Sequence, residues 1–369
     1  MFPSVIVVGA GVVGAAIAYE LAASGVRVQV LDARQPGQGA TRASAGVLAP
    51  YIEGHEATSL RELGRRSLDL YDGFIDRVQA DSGRQIVYRR NGTIEVALTS
   101  EEVDRLSATS AALWKQGIEA HWVPPLAFED HEPLLSSKAL GALLIPEQGF
   151  VGVTGLTSAL VAGAERHGAR VKVETGAIRI HRMPAGRIGV QTDGTSWDAD
   201  RVVLAAGSWS SRIEVEGAAP IPVRPIRGQL LELEAEPGAL RHVIWHPAGY
   251  LVPWPDGTVL VGATVEDVGF DEGTTEQAVR GLRDMAASLV PSLADAPMRG
   301  ARAGLRPKGV DDLPLVGPSA TLPGLIYATA HYRNGVLLAP LTAQLVEQLV
   351  LDRASDSSLQ LLSPSRAGL

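Results

Sequence analysis

The chain has 369 residues, 46% hydrophobic and 20% charged, the composition of a globular protein long enough for two domains or one elaborate α/β unit. Its 33 basic against 41 acidic residues leave a net charge of −8, which argues against a nucleic-acid partner, and no apolar run reaches the roughly 18 residues that span a bilayer. It contains no cysteine, which excludes disulfides, thiolate catalysis, Cys-ligated metals and a Cys-tethered cofactor; with no basic stretch before an apolar one at the N-terminus, the expected location is the cytoplasm.

The opening segment SVIVVGAGVVGAAIAYELAASGVRVQVLDA predicts strand, glycine turn, helix, strand. Val5 to Val8 form a β-rich run that Gly9 stops, a helix runs from Gly11 to Ser24 before Gly25, and Val26 to Leu31 make the second strand. Gly9, Gly11 and Gly14 have the spacing of a dinucleotide-binding turn, and Asp32 follows Gly11 by about 20 residues. In such a turn the first glycine makes the bend, the second lets the backbone approach a pyrophosphate, and the third lets helix and strand pack. The helix N-terminus faces the phosphates. Asp32 would accept a hydrogen bond from a ribose 2′-hydroxyl and repel a 2′-phosphate, which selects FAD or NAD over NADP.

The next stretch, QPGQGATRASAGVLAP, is rich in small residues and suits a backbone passing close to a flat ligand. In LRELGRRSLDLYDGFIDRVQADSG, Leu60, Leu63, Leu68, Leu70, Phe74 and Val78 recur at helical spacing and read as core. From residue 85 to 149 the chain changes character, with short strands such as TIEVAL and a helix over Glu101 to Gln116. A helix and strand follow in VGVTGLTSALVAGAERHGARVKVET, then a hairpin turning at Asp193-Gly194, then a buried strand, Val202 to Ala205, stopped by Gly207. Strands return in GQLLELEA and GYLVPWPDGTVLVGAT, and from Arg302 the style of the first segment resumes. The pattern predicts a nucleotide-binding domain built from 1–84, 150–219 and 298–369, and a second domain from 85–149 and 220–297. The final RASDSSLQLLSPSRAGL reads as a loose terminus.

Near the end, HYRNGVLLAP sets Arg333 and Asn334 at a glycine turn before an apolar, helix-like run. A cation is a poor helix start, because that end of the macrodipole is already positive, so an anionic group is expected there.

Taken in order, the opening fingerprint, SAGVLAP, VVLAAGSWS, AGLRPKGVDDLPLVGP and HYRNGVLLAP resemble the flavin amine oxidases of the D-amino-acid-oxidase and sarcosine-oxidase superfamily. The chain is most similar to its glycine oxidase branch, associated with thiamine biosynthesis, and the resemblance covers essentially all of it. It implies an α/β fold: a Rossmann-like FAD-binding domain of the glutathione-reductase type, with a discontinuous substrate domain built on an antiparallel β-sheet. It also implies non-covalent FAD, a small amino-acid substrate, O2 as acceptor with hydrogen peroxide as product, no metal, and a homo-oligomer. A dehydrogenase passing its electrons to an acceptor other than O2 is the competing expectation.

The resemblance also implies a site. The diphosphate would sit on Gly9, Gly11 and Gly14 near Val12 and Val13, and the ribose would meet Asp32 with Ala33 alongside. Ala40, Thr41, Ala45, Gly46 and Val47 would pass the phosphates and the isoalloxazine. Ala177 would touch adenine, and Gly207 would allow close approach. His331, Arg333, Asn334, Gly335, Val336 and Leu337 would lie along the flavin's pyrimidine edge, where reduced flavin carries the negative charge that Arg333 and a helix start would stabilise. Arg306 is the candidate partner for the substrate carboxylate, because a guanidinium holds a carboxylate by two parallel hydrogen bonds. Tyr250 would add a hydroxyl. Val47 and Val265 stand where related glycine oxidases often carry Met, and Trp254 stands where they carry Arg. On strand alternation Trp254 shares a face with Tyr250. The shorter Val47 and Val265, with Trp254 as an apolar wall, would leave a larger cavity that admits N-substituted glycines; the alternative expectation is ordinary variation in a glycine oxidase, with the space filled by neighbours. Glu266, Asp267, His242 and His246 suggest no chemistry.

Overall fold

Val5 to Val8 are buried on both faces, the pattern of a strand in the middle of a parallel sheet. In the computed structural model, which describes residues 2–53, 58–173 and 175–369, Ser4–Val8 is such a strand. It pairs in parallel with Arg27–Leu31 on one side and Arg201–Leu204 on the other. Arg170–Lys172 and Leu325–Thr329 extend the sheet in parallel, and Leu315–Pro318 closes it as an antiparallel edge. The helix Val12–Ala23 packs against the helices Val153–Arg166 and Ala339–Val350. Its Ala15, Ala16, Ala18 and Ala22 are small and buried, which lets these neighbours come close. A hairpin of Ile188–Thr192 and Ser196–Ala199, turning at Asp193 and Gly194, joins Ala177–Arg182 and Glu214–Val215 in a four-stranded sheet.

The second large sheet has eight strands, in the order Met298–Lys308, Arg224–Glu234, Thr258–Gly262, Gly249–Pro253, Val243–His246, Thr93–Ala97, Gly141–Ile145, His121–Val123. All its pairs are antiparallel except Val243–His246 with Thr93–Ala97. The edge strand Met298–Lys308 runs along Arg224–Glu234 from Arg224 opposite Lys308 to Leu233 opposite Met298, so Ile226 faces Arg306. The helix Ser100–Lys115, over the predicted 101–116, starts on a capping box of Thr99 and Glu102. No helix of the described residues is long and apolar enough to cross a membrane.

Two expectations differ from the structure. The C-terminus is not loose: Leu369 is 1% exposed, and Leu362 accepts the Val316 N–H through its carbonyl at 2.9 Å. The leucines of that segment, spaced among serines, find an apolar floor that composition alone does not reveal. The last long helix begins at Ala339 and not at the Gly335 turn, with irregular helical turns over 335–338 leading into it. Pro340 sits in its first turn, where a missing N–H costs nothing.

Candidate active site

Four of the parallel strands end at Val8, Leu31, Leu204 and Thr329, and residues 304–307 of the strand Met298–Lys308 in the second sheet line the same cavity as their C-terminal ends. A crevice beyond the carboxyl ends of parallel strands is the usual ligand site of such sheets. Here it is a cavity of about 450 Å³ lined from both sheets.

The glycine turn shapes its floor. Gly9 has φ +108°, and any side chain there would collide with the Ala205 carbonyl. Gly14 lies just behind the cavity, against the Gly9 carbonyl, so the helix packs close to its strand. The start of that helix is capped from outside: the Val12 N–H donates to Thr41 Oγ1 at 3.0 Å, which folds the 36–46 loop over it. Asp32 Oδ2 accepts from the Ala10 N–H at 2.6 Å and Oδ1 from the Arg34 N–H at 2.8 Å. Burial pushes the Asp32 carboxyl up, against the opposing pull of those donors and of the Arg34 charge. Each oxygen keeps a further lone pair, which suits the hydroxyls of a ribose.

Gly9, Gly11, Val12, Val13, Asp32, Ala33, Ala40, Thr41, Ala45, Gly46, Val47, Ala177 and Gly207 all line the cavity. So do His331, Arg333, Gly335 and Val336, whereas Asn334 and Leu337 do not. Leu337 turns back towards Gly64 and the core behind. The turn is strained: Ala330 and Tyr332, on either side of His331, have φ of +62° and +46°. Non-glycine residues in that region cost energy and cluster at functional sites. Among the described residues no protein acceptor takes up the N–H groups of Gly335, Val336 and Leu337. His331 is buried, bonded through Nε2 to Thr342 Oγ1 at 3.0 Å, and burial pushes its pKa down to about 4. It is therefore a neutral ring beside this turn at neutral pH.

At the other end of the cavity stand Tyr250, Val47 and Arg306. Tyr250 stacks on Trp245, with ring centroids 5.2 Å apart. Arg306 donates through Nη1 to the Thr264 carbonyl at 2.9 Å. Its guanidinium lies across the backbone of Gly228, where any Cβ would collide with it. Among the described residues Arg306 has no carboxylate partner. A cation aimed into a cavity without a counter-ion is a ready receptor for an anionic ligand.

Trp254 and Val265 are not brought to the cavity. Alternation holds, and Trp254 shares a cluster with Tyr250, Val252 and Val47. Four residues of strand carry it about 13 Å onward, however, and it packs on Phe150 with centroids 6.4 Å apart. Glu266 bridges back to Arg227, so its neighbour Val265 faces solvent and is 57% exposed.

Sequence reasoning missed Gly228 and Gly304, although a glycine inside a strand signals close approach. A Cβ on Gly304 would sit 2.7 Å from that of Ala43. It also missed Arg34, Trp209, Arg212 and Glu272, which line the rim near Asp32. The ion pair of Arg34 with Glu272 joins residues 238 apart in sequence, and no local signal announces it.

A glycine-floored turn, a half-buried ribose-type acceptor and free N–H groups in one cavity fit a flavin dinucleotide. Comparison with known proteins agrees. The family model for DAO, described as FAD dependent oxidoreductase, matches residues 4–349. A glycine oxidase of Geobacillus kaustophilus is 33% identical over 349 residues, covering 94% of this chain and 92% of that protein. A crystal structure of glycine oxidase from the same species superposes with a TM-score of 0.93 at 32% identity, covering 98% of both chains. The bifunctional protein ThiO/ThiG of Nostoc sp. is 32% identical over the whole of this chain, which spans only 55% of that longer protein. The crystal structure of an iminodiacetate oxidase from Chelativorans sp. BNC1 matches with a TM-score of 0.89 at 25% identity, over 98% of each chain.

Proposed function

The chain belongs to the FAD-dependent oxidoreductase family, and from that premise we propose that it oxidises glycine or a small N-substituted glycine at the carbon–nitrogen bond. The observation that carries this reading is Arg306: a guanidinium at the substrate-side end of the cavity, oriented by the Thr264 carbonyl and, among the described residues, without a carboxylate partner. Its fork would take the amino-acid carboxylate, with the Tyr250 hydroxyl as a second donor and Val47 as an apolar wall. Holding the carboxylate fixes the α-carbon, which converts binding energy into orientation.

Asp32, the Gly9–Gly14 turn and the N–H groups of Gly335 and Val336 would hold the cofactor, with Arg333 at the rim. When bound, FAD supplies a two-electron acceptor for the α-hydrogen and returns the electrons to O2 as hydrogen peroxide. The substrate leaves as an imine, which water hydrolyses to glyoxylate and ammonia or an amine. No metal, acid pair or nucleophile is needed.

The similarity to an iminodiacetate oxidase makes an N-carboxymethyl group a substituent to try. With Trp254 and Val265 outside the cavity, the room for a larger substituent rests on Val47 alone. The test is peroxide formation in air over glycine, sarcosine, N-ethylglycine, a longer N-alkylglycine, iminodiacetate and D-alanine. Peroxide from glycine, with kcat/KM falling steadily with substituent length, supports a plain glycine oxidase. A rise with length supports a secondary-amine substrate. Dye reduction without peroxide sinks the oxidase reading in favour of a dehydrogenase.

A further inference from the structure

Residues 263–275 leave the second sheet after the strand Thr258–Gly262 and cross to the first half of the chain. Both ends of the segment are fixed. At its start the Thr264 carbonyl accepts from Arg306 at 2.9 Å, and Glu266 pairs with Arg227 at 2.6 Å. Arg227 is only 4% exposed, and it also reaches Asp271. At its end the Thr275 N–H donates to Gln229 Oε1 at 2.7 Å, and the Thr275 side chain caps the helix Glu276–Leu289.

Between these anchors the segment lays Glu272 on the rim of the cavity and Phe270 against Trp209 and Arg212, which line it. Glu272 Oε2 is 2.9 Å from Arg34 Nη1. The Arg34 guanidinium lies 4.2 Å over the Trp209 ring, whose centroid is 5.8 Å from that of Phe270. Arg212 lies 4.0 Å over the other ring of that pair, Phe270. Arg34, Trp209, Arg212 and Glu272 all line the cavity. The Arg34 N–H bonds Asp32, so this rim belongs to the ribose end.

We propose that this segment is a strap that closes the nucleotide end of the cofactor cavity, and that Glu272 and Phe270 set the rate at which FAD leaves. The inference rests on the FAD reading of that cavity. Each layer of the stack, cation over ring beside ring, adds a contact that must open before the adenosine end can withdraw. The ion pair of Arg34 with Glu272 is about one-third exposed on both sides, so salt weakens it. Opening the tip also parts the exposed Asp271 carboxylate from Arg227, while the Arg227–Glu266 pair and the Gln229–Thr275 bond keep the segment's ends in place.

The experiment measures FAD release from the purified holoprotein into an excess of an FAD-binding trap, followed by flavin fluorescence. It compares wild type, Glu272→Gln, Phe270→Ala and, as a control on the same segment, the exposed Val268→Ser. Release should speed up at least about tenfold in the Phe270 variant and several-fold in the Glu272 variant, with the control unchanged. Raising the salt should accelerate release from wild type more than from Glu272→Gln, a difference that general loosening of the fold would not give. Release at the wild-type rate from both variants overturns the strap while leaving the FAD reading intact. A wild type that yields FMN or no flavin overturns the cofactor reading and the strap with it.

Discussion

At the scale of single residues, the site depends on how Arg306 is aimed. Its position on the edge strand opposite Ile226 brings it over Gly228, and the Thr264 carbonyl fixes the fork. Truncating one partner of a desolvated, hydrogen-bonded charge pair costs about 2–5 kcal/mol. Arg306→Ala should therefore raise the apparent substrate constant by about thirtyfold to a few thousandfold, with flavin content unchanged. Arg306→Lys should recover little, because an ammonium cannot form the fork. Gly228→Ala makes the same point without touching a polar group: the new methyl collides with the guanidinium, and substrate binding should weaken while the absorbance of bound flavin stays as in wild type. Affinity for a carboxylate inhibitor checks all three variants. If Arg306→Ala binds that inhibitor as well as wild type, the arginine is structural. Arg306 was legible in AGLRP because a lone cation between apolar residues needs a reason. The need for Gly228 was not recognised, because it depends on a strand 78 residues away being its neighbour.

At the scale of elements, the turn between the last parallel strand and the helix Ala339–Val350 concentrates strain and burial. Its His331 is 3% exposed, and burial pushes its pKa down to about 4, against about 6.5 in an unfolded chain. Between those values the unfolded state binds more protons, so this group's contribution is intact above about pH 6.5 and is lost as the pH falls towards 4. The full difference is on the order of 3 kcal/mol. Urea unfolding of wild type and His331→Gln at a series of pH values should show the wild type losing stability faster across that window, with the two curves parallel above it. Parallel curves throughout would remove His331 from the account. The same turn marks where sequence reading stops. The first strand, helix and acid were legible because their signals between Val5 and Asp32 are local ones: a β-branched run, a glycine bend, a helix stop. The left-handed Ala330 and Tyr332 were not legible, since neither residue favours that conformation. Their backbone is held by contacts from elsewhere, such as the Tyr332 N–H donating to the Pro307 carbonyl at 3.0 Å. Trp254 fails for a related reason: period-2 alternation gives the face of a strand but not how far along it a cavity extends.

At the scale of the whole molecule, the cavity is the seam between two sheets that otherwise have separate cores. The parallel sheet contributes Gly9 and Asp32, the antiparallel sheet contributes Gly228, Tyr250 and Arg306, and a ligand bound between them touches both. A ligand that binds only the folded state stabilises it by about 2.7 kcal/mol at a hundredfold excess over its dissociation constant. At about 2.1 cal/mol/K per residue, 369 residues correspond to an unfolding entropy of ~0.8 kcal/mol/K. Returning FAD to deflavinated protein at that excess should therefore raise Tm by about 3–4 °C. The location of the stabilisation is the sharper observable. Hydrogen exchange should slow on FAD addition in the Gly9–Gly14 turn and also along Met298–Lys308, which no dinucleotide-binding turn alone would protect. Protection confined to the parallel sheet would mean that the cofactor leaves the second sheet untouched, and the assignment of Arg306 to a substrate held against it would fall.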